Sequence, residues 1–189
     1  MEALNIRDNE SFLRQKSIKV DLNDKELKND IIKVRNFLKE HTNTLALAPV
    51  QIGIPKRFIY IKHTDLNDTE KIIDEGRILI NPVMIERIGL TKFWEACASC
   101  NDATGLVKRP YKIKINYQDI NGNYIESTLE GEEATVFSHE YDHLDGILHI
   151  DLAEKIITAN YEERKELRKK EPYQIINTTD IFEDIIKTS

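Results

Sequence analysis

Long apolar runs are absent from this chain. No stretch of its 189 residues approaches the roughly 20 needed to cross a bilayer as a helix, which excludes that kind of membrane protein. Cysteine is scarce too: Cys97 and Cys100 are the only two, close together, so a secreted disulfide framework is not expected. Basic charge is not in excess. Lys and Arg total 27 against 33 Asp and Glu, and the net charge of −6 argues against a general nucleic-acid binder while leaving room for local basic patches. Internal repeats, low-complexity tracts and Pro/Gly-rich linkers are also missing. The opening "MEALNIRDNE" lacks the basic-then-apolar layout of a signal peptide and is too acidic for a transit peptide. These absences lead us to expect a cytoplasmic protein with neither membrane nor DNA as partner, built as one domain over residues 1–189.

The pattern that remains has an α+β order. "NDKELKNDIIKVRNFLKEHTN" carries Leu27, Ile31, Val34 and Leu38 at helical spacing, with Asn23 or Asp24 as its cap. "RFIYIK", "GRILINP", "VMIERIG" and "TKFWEACAS" read as successive strands. Two alternating runs follow around Asn121-Gly122, the strongest short signal for an antiparallel hairpin. Glu132 and Glu133 suit the positive end of a helix running to about Leu144, and Gly146 is placed to end it. "DLAEKIITANYEERKELRKK" reads as a further helix, and "TDIFEDIIKTS" as a short last one, giving a helical tail over about 151–189. The expected architecture is a mostly antiparallel sheet packed around the central helix of residues 132–144.

That central helix carries chemistry. His139-Glu140-Tyr141-Asp142-His143 places two imidazoles at i and i+4 on one helical face, a spacing that suits one metal ion. Glu140 stands beside them, able to take a proton from water without being a ligand. Three candidates compete for the next ligand. His149 completes a longer His-Glu-x-x-His-x-x-Gly-x-x-His pattern, but the methionine turn expected after it is missing: Met1 and Met84 both precede it. Cys97 and Cys100 together would close a structural Cys₂His₂ site and leave Glu140 idle. Cys97 alone would leave a coordination position open for water. A redox role for Cys97-Ala98-Ser99-Cys100 has no βαβ context to support it.

"TLALAPVQIGIP", "WEACASC", "LVKRP" and "HEYDHLDG" resemble, in order and spacing, the peptide deformylases over most of residues 5–150. The third motif of that family is nearly complete, with Ser138 in place of Gln. The second survives as Glu95-Ala96-Cys97-Ala98-Ser99. The first is eroded: Thr44, Ala46 and Pro49 stand where two glycines and an alanine are usual, while Ala48 and Gln51 remain.

The resemblance implies removal of the formyl group from N-formylmethionyl nascent peptides, releasing formate. It implies one divalent metal ion, usually Fe²⁺, with Zn²⁺, Ni²⁺ or Co²⁺ also accepted. Carried over residue by residue, Cys97, His139 and His143 would hold the metal, and Glu140 would act as general base and then acid. Gln51 and the backbone N–H of Ala98 would form the oxyanion hole. Leu45, Ala46, Ala98 and Val136 would contact substrate, and Glu95, Arg109 and Ser138 would support the site from behind. The departures suggest a divergent deformylase, slower or altered in side-chain preference. Thr44 would be strained if that position needs positive φ, Ala98 in place of Leu opens the methionine pocket, and Ser138 loses a supporting hydrogen bond. In "YEERKELRKK", Arg164, Lys165, Arg168, Lys169 and Lys170 form a basic cluster that suits either ribosomal RNA phosphate or a salt-bridged, solvated helix face.

Overall fold

The computed structural model describes residues 1–62 and 76–182. Its elements are α1 (Ile6–Leu13), α2 (Leu27–Glu40), β1 (Ala46–Leu47), β2 (Phe58–Ile61), β3 (Arg77–Ala96), β4 (Ala103–Arg109), β5 (Lys112–Gln118), β6 (Tyr124–Glu130), α3 (Glu132–His143), α4 (His149–Leu152), β7 (Lys155–Thr158), α5 (Tyr161–Lys170) and β8 (Gln174–Ile181). One eight-stranded sheet runs β1-β2-β3-β4-β7, with β5 and β8 also on β3 and β6 on β5. Every paired strand is antiparallel. The α+β architecture is the one expected. Among the described residues no helix is long and apolar enough to cross a membrane.

The sheet is organised by β3, which is 20 residues long. The sequence reads as three strands here, broken at Asn81-Pro82 and at Gly89. Asn81 and Gly89 do adopt positive φ (50° and 72°), and the pairing with β5 shifts register beside Asn81. Bulges bend a strand without ending it, so one strand pairs in turn with β2, β5, β8 and β4. Asn81 is anchored by its side chain, which accepts from the Val20 N–H (2.8 Å) and donates to the Val20 carbonyl (3.0 Å).

Strands β1 and β2 lie between two helices. Leu47, Phe58, Tyr60 and Ile80 pack with Leu27, Ile31, Val34, Phe37 and Leu38 on α2. Ala46, Ile59, Ile61 and Leu79 face the other way, against Ala134, Val136 and Phe137 of α3 and Leu144 just after it. The period of two along a strand sends alternate residues to opposite faces. All of "FIYI" is buried because both faces are covered.

Several sequence expectations need correction. Helix α2 starts at Leu27, because Asp24 caps a turn by accepting from the Glu26 N–H rather than capping the helix. Helix α1 was not anticipated. The single helix expected from Asp151 is broken into the end of α4, strand β7 and helix α5, the break following Ala153 in extended backbone. Lys155–Thr158 pairs with β4 as an edge strand. Residues 174–181 form β8 on β3, not a helix, because β3 offers an open edge beyond β5. Residues 183–189 and His63, read as a bystander, lie outside the described residues. His41 stacks on Phe37 at the end of α2 and stays away from the chemistry.

Candidate active site

Helix α3 presents Val136, His139, Glu140 and His143 along one stripe. It is preceded by Gly131 at φ 62°, and Glu132 and Glu133 occupy its first turn. Its C-terminal turn is closed by Gly146 at φ 74°, where a Cβ would run into the backbone of Arg14. Cys97 sits at the end of β3 and caps a 3₁₀ turn over Ala98–Cys100, its sulfur accepting from the Ser99 N–H at 3.4 Å. Gln51 lies on a second 3₁₀ turn, Pro49–Ile52, just after β1. Residues from three separate parts of the chain therefore meet.

The ligand atoms of Cys97, His139 and His143 lie within 4.8 Å of one another. Cys97 Sγ is 3.2 Å from His143 Nε2. Donor atoms around a tetrahedral ion, at metal–ligand distances of about 2.0–2.3 Å, are about 3.5 Å apart. One thiol and two imidazoles so arranged suit a divalent transition-metal ion. Burial holds the His143 pKa well below its ordinary value, which keeps that imidazole neutral and ready to ligate. His139 donates through Nδ1 to Glu95 Oε2 at 2.8 Å, which leaves Nε2 as its ligand atom. Burial pulls the His139 pKa down, but its bond to Glu95 and the charges of Glu95 and Glu140 together outweigh this, and the net shift is upward.

Behind His139 runs a buried ionic chain. Arg109 donates through Nε and Nη2 to the two oxygens of Glu95 at 2.8 and 2.9 Å, and through Nη1 to Asp142. Burial opposes the charge on Glu95, yet Arg109 holds its pKa far below the ordinary carboxylate range. The register makes this possible: Thr91 pairs with Arg109 and Glu95 with Gly105, so both side chains stand on neighbouring strands.

Glu140 is buried, and its Oε2 accepts from the Ala48 N–H at 2.8 Å. Burial raises its pKa. The same N–H reaches Gln51 Oε1 at 3.2 Å, which turns Gln51 Nε2 toward Cys97 Sγ (3.4 Å) and Ser99 Oγ (3.5 Å). A cavity of about 280 Å³ opens over the site. Leu45, Ala46, Gln51, Glu95, Cys97, Ala98, Val136, His139 and Glu140 all border it, along with Phe93, Arg164 and Arg168. Among the described residues strand β1 lies at the sheet edge, paired only with β2.

Most anticipated residues converge here, and two expectations are corrected: the supporting role of Ser138 and the strain at Thr44. Ser138 donates to the Ala134 carbonyl at 2.7 Å, within its own helix, and supports nothing at the centre. Thr44 is not at positive φ, so no backbone strain arises from it. His149 groups with Cys97 and Cys100, not with His139 and His143, which removes the long three-histidine pattern. Cys100 likewise falls outside the His139–His143 group, so the closed Cys₂His₂ arrangement is not formed. Sequence reasoning missed the Ala48 N–H, Asp142, Arg164 and Arg168. Asp142 lies inside the histidine motif and was legible there; the arginines carry no signal beyond a basic helix.

A buried carboxylate beside a thiol and two imidazoles, on an α+β fold with an open cavity, defines a metallohydrolase site. Residues 4–159 match the Polypeptide deformylase family, and the chain belongs to it. The peptide deformylase of Aquifex aeolicus is 37% identical over 140 residues, 74% of this chain and 80% of that protein. Peptide deformylase 2 of Rickettsia conorii is 35% identical over 185 residues, 90% of this chain and 88% of that one. Among solved structures, the Thermotoga maritima enzyme superposes with a TM-score of 0.70 at 30% identity, covering 82% of this chain and 97% of its own. The Plasmodium falciparum enzyme gives 0.71 at 31%, covering 89% and 92%. The chain is thus a metal-dependent hydrolase that removes the N-formyl group from nascent peptides.

Proposed function

We propose that deformylation proceeds here with Cys97, His139 and His143 holding one divalent cation, Fe²⁺ in the cell, and with Glu140 moving the proton. The observation that carries this is the convergence of Cys97 Sγ, His143 Nε2 and the Glu95-bound His139 beside a buried carboxylate at the cavity. When bound, the cation supplies Lewis acidity and makes water a competent nucleophile near neutral pH. A thiol that ligates loses its proton, so Cys97 would serve as thiolate.

The chain's own groups do the rest. Oε2 of Glu140 is occupied by Ala48, which leaves Oε1 to take the proton from water and return it to the departing amine. A pKa raised toward the working pH suits a group with both duties. Among the described residues Gln51 Nε2 donates only to two long contacts, at 3.4 and 3.5 Å, and can turn to the developing oxyanion with the Ala98 N–H. The outer edge of β1 at Ala46, with Leu45 just before it at the cavity, suits the substrate backbone as an added strand. Val136 and Ala98 would receive the first side chain, the shortened Ala98 leaving that pocket wider.

The test is formate release from formyl-Met-Ala-Ser by protein purified without oxygen and loaded in turn with iron, nickel, cobalt or zinc, with Glu140→Ala as control. Turnover lost in the control and highest with iron supports the assignment. Silence with every metal despite stoichiometric binding overturns it.

We extend the proposal to the cell. Nascent chains place the reaction in the cytoplasm, which fractionation tests. Residues 1–189 act as one catalytic unit, since α5 borders the cavity and β8 pairs with β3; a fragment ending at 159 that kept full turnover and stability would refute this. Contact of α5 with ribosomal RNA would fall to Lys165, Lys169 and Lys170. Arg164 and Arg168 border the cavity, and Arg168 donates to the Trp94 carbonyl at 2.8 and 3.0 Å. Co-sedimentation with ribosomes that weakens with salt supports that contact, and its absence refutes it.

A further inference from the structure

Two buried side chains beside the catalytic group have no part in the chemistry above. Cys100 and His149 are 3% and 1% exposed, yet neither borders the substrate cavity. His149 Nε2 lies 3.2 Å from the Ala103 carbonyl oxygen. A carbonyl only accepts, so Nε2 carries the ring proton and Nδ1 keeps a lone pair. Among the described residues that buried Nδ1 makes no well-formed hydrogen bond, and the Cys100 thiol interacts with the ring. Buried polar atoms are rarely left without a well-formed bond, and one so placed points to a ligand.

The surroundings supply the rest of a site. The ligand atoms of Cys97, Cys100 and His149 lie within 4.8 Å of one another. The Cys100 N–H donates to the Cys97 carbonyl at 3.1 Å, closing the turn that brings the two sulfurs together. Cys-x-x-Cys is the spacing of thiolate pairs in structural zinc sites.

We propose that Cys97, Cys100 and His149 form a second coordination set, for a thiophilic cation of the zinc class, sharing the Cys97 sulfur with the His139–His143 set. Two thiolates and one imidazole favour a soft or borderline ion, and one thiolate with two imidazoles suits iron. Cys97 then stands at a branch. Zinc settles on its inner side, away from Glu140 and Gln51, and draws on the sulfur that the catalytic set needs. The kind of cation supplied determines which side of Cys97 is filled. This goes beyond the deformylase assignment and rests on it only in placing Cys97 in the catalytic set.

X-ray absorption at the zinc edge, on the full chain carrying one equivalent of Zn²⁺, counts sulfurs at about 2.3 Å. The expected count is two for the wild type and one for Cys100→Ser. Competition with a chelator should show zinc held at least tenfold more weakly by His149→Phe. One sulfur in the wild type overturns the proposal without any variant, so a misfolded Cys100→Ser leaves it testable. Two sulfurs with unchanged zinc affinity in a folded His149→Phe also overturn it, since the partner would then be His139 or His143. The iron-loaded protein, read at the iron edge, should show one sulfur. No sulfur there would count against Cys97 in the catalytic set, a separate failure.

Discussion

The backbone N–H of Ala48 donates to Glu140 Oε2 at 2.8 Å, across 92 positions of sequence. It fixes the carboxylate on α3 to the turn that carries Gln51, so the proton-transfer group and the oxyanion donor share one anchor.

Glu140 must be ionised to accept a proton, and burial raises its pKa above the ordinary 4.5. The acid limb of kcat/KM should therefore lie above pH 4.5, activity being lost as pH falls through the raised value. A pH–rate profile of the metal-loaded enzyme checks this. A limb at or below 4.5 would mean that another group sets it.

Arg109 is buried between Glu95 and Asp142. Arg109→Met would strand two carboxylates and should cost about 3–5 kcal/mol, as removal of one partner from a buried ion pair does. Denaturant unfolding of the metal-free protein measures it. A loss under 1 kcal/mol would show that water reaches the pair.

Glu95→Gln keeps the shape but loses the charge that orients His139. Metal affinity should fall by about 10–100-fold, read by competition with a chelator. The variant should also flatten the acid side of the stability curve. The Glu95 pKa is depressed in the folded state, so its contribution is present above 4.5 and is lost as pH falls below that.

Ala98 borders the cavity and is exposed. Ala98→Leu adds three carbons to the wall of the first side-chain pocket and should raise kcat/KM for formyl-Met peptides by about 10–200-fold, the range that small apolar increments give. Ser138→Gln, by contrast, should not raise it, since Ser138 bonds within α3 and is buried there. Overpacking at that position should instead cost about 1–3 kcal/mol. Steady-state kinetics and thermal unfolding of the two variants separate these outcomes.

Gly146 combines φ of 74° with a Cβ position blocked by Arg14 backbone. Gly146→Ala should destabilise by more than about 1 kcal/mol, since an incompatible φ costs more than the usual gain from replacing glycine. Unfolding midpoints of the two proteins decide it.

The sequence by itself determined what is local. His139 and His143 share a helical face because i and i+4 always do, and Asn121-Gly122 closes a hairpin because its turn demands those residues. The ends of α3 were set by the same short-range rules. Partners distant in the chain were legible only through resemblance to a family: Cys97, Gln51 and the Glu95–Arg109 pair. Tertiary structure alone decided the rest. Whether Asn81 and Gly89 end a strand or merely bend it depends on neighbours that keep pairing across the bulge, and β8 forms because β3 leaves an edge to fill. His149 passed as a polar residue at the start of an element; only packing shows it buried beside two sulfurs, its Nδ1 without a well-formed hydrogen bond among the described residues. Hydrogen-bond satisfaction in a core is a property of all the chain segments that meet there, and no single segment encodes it.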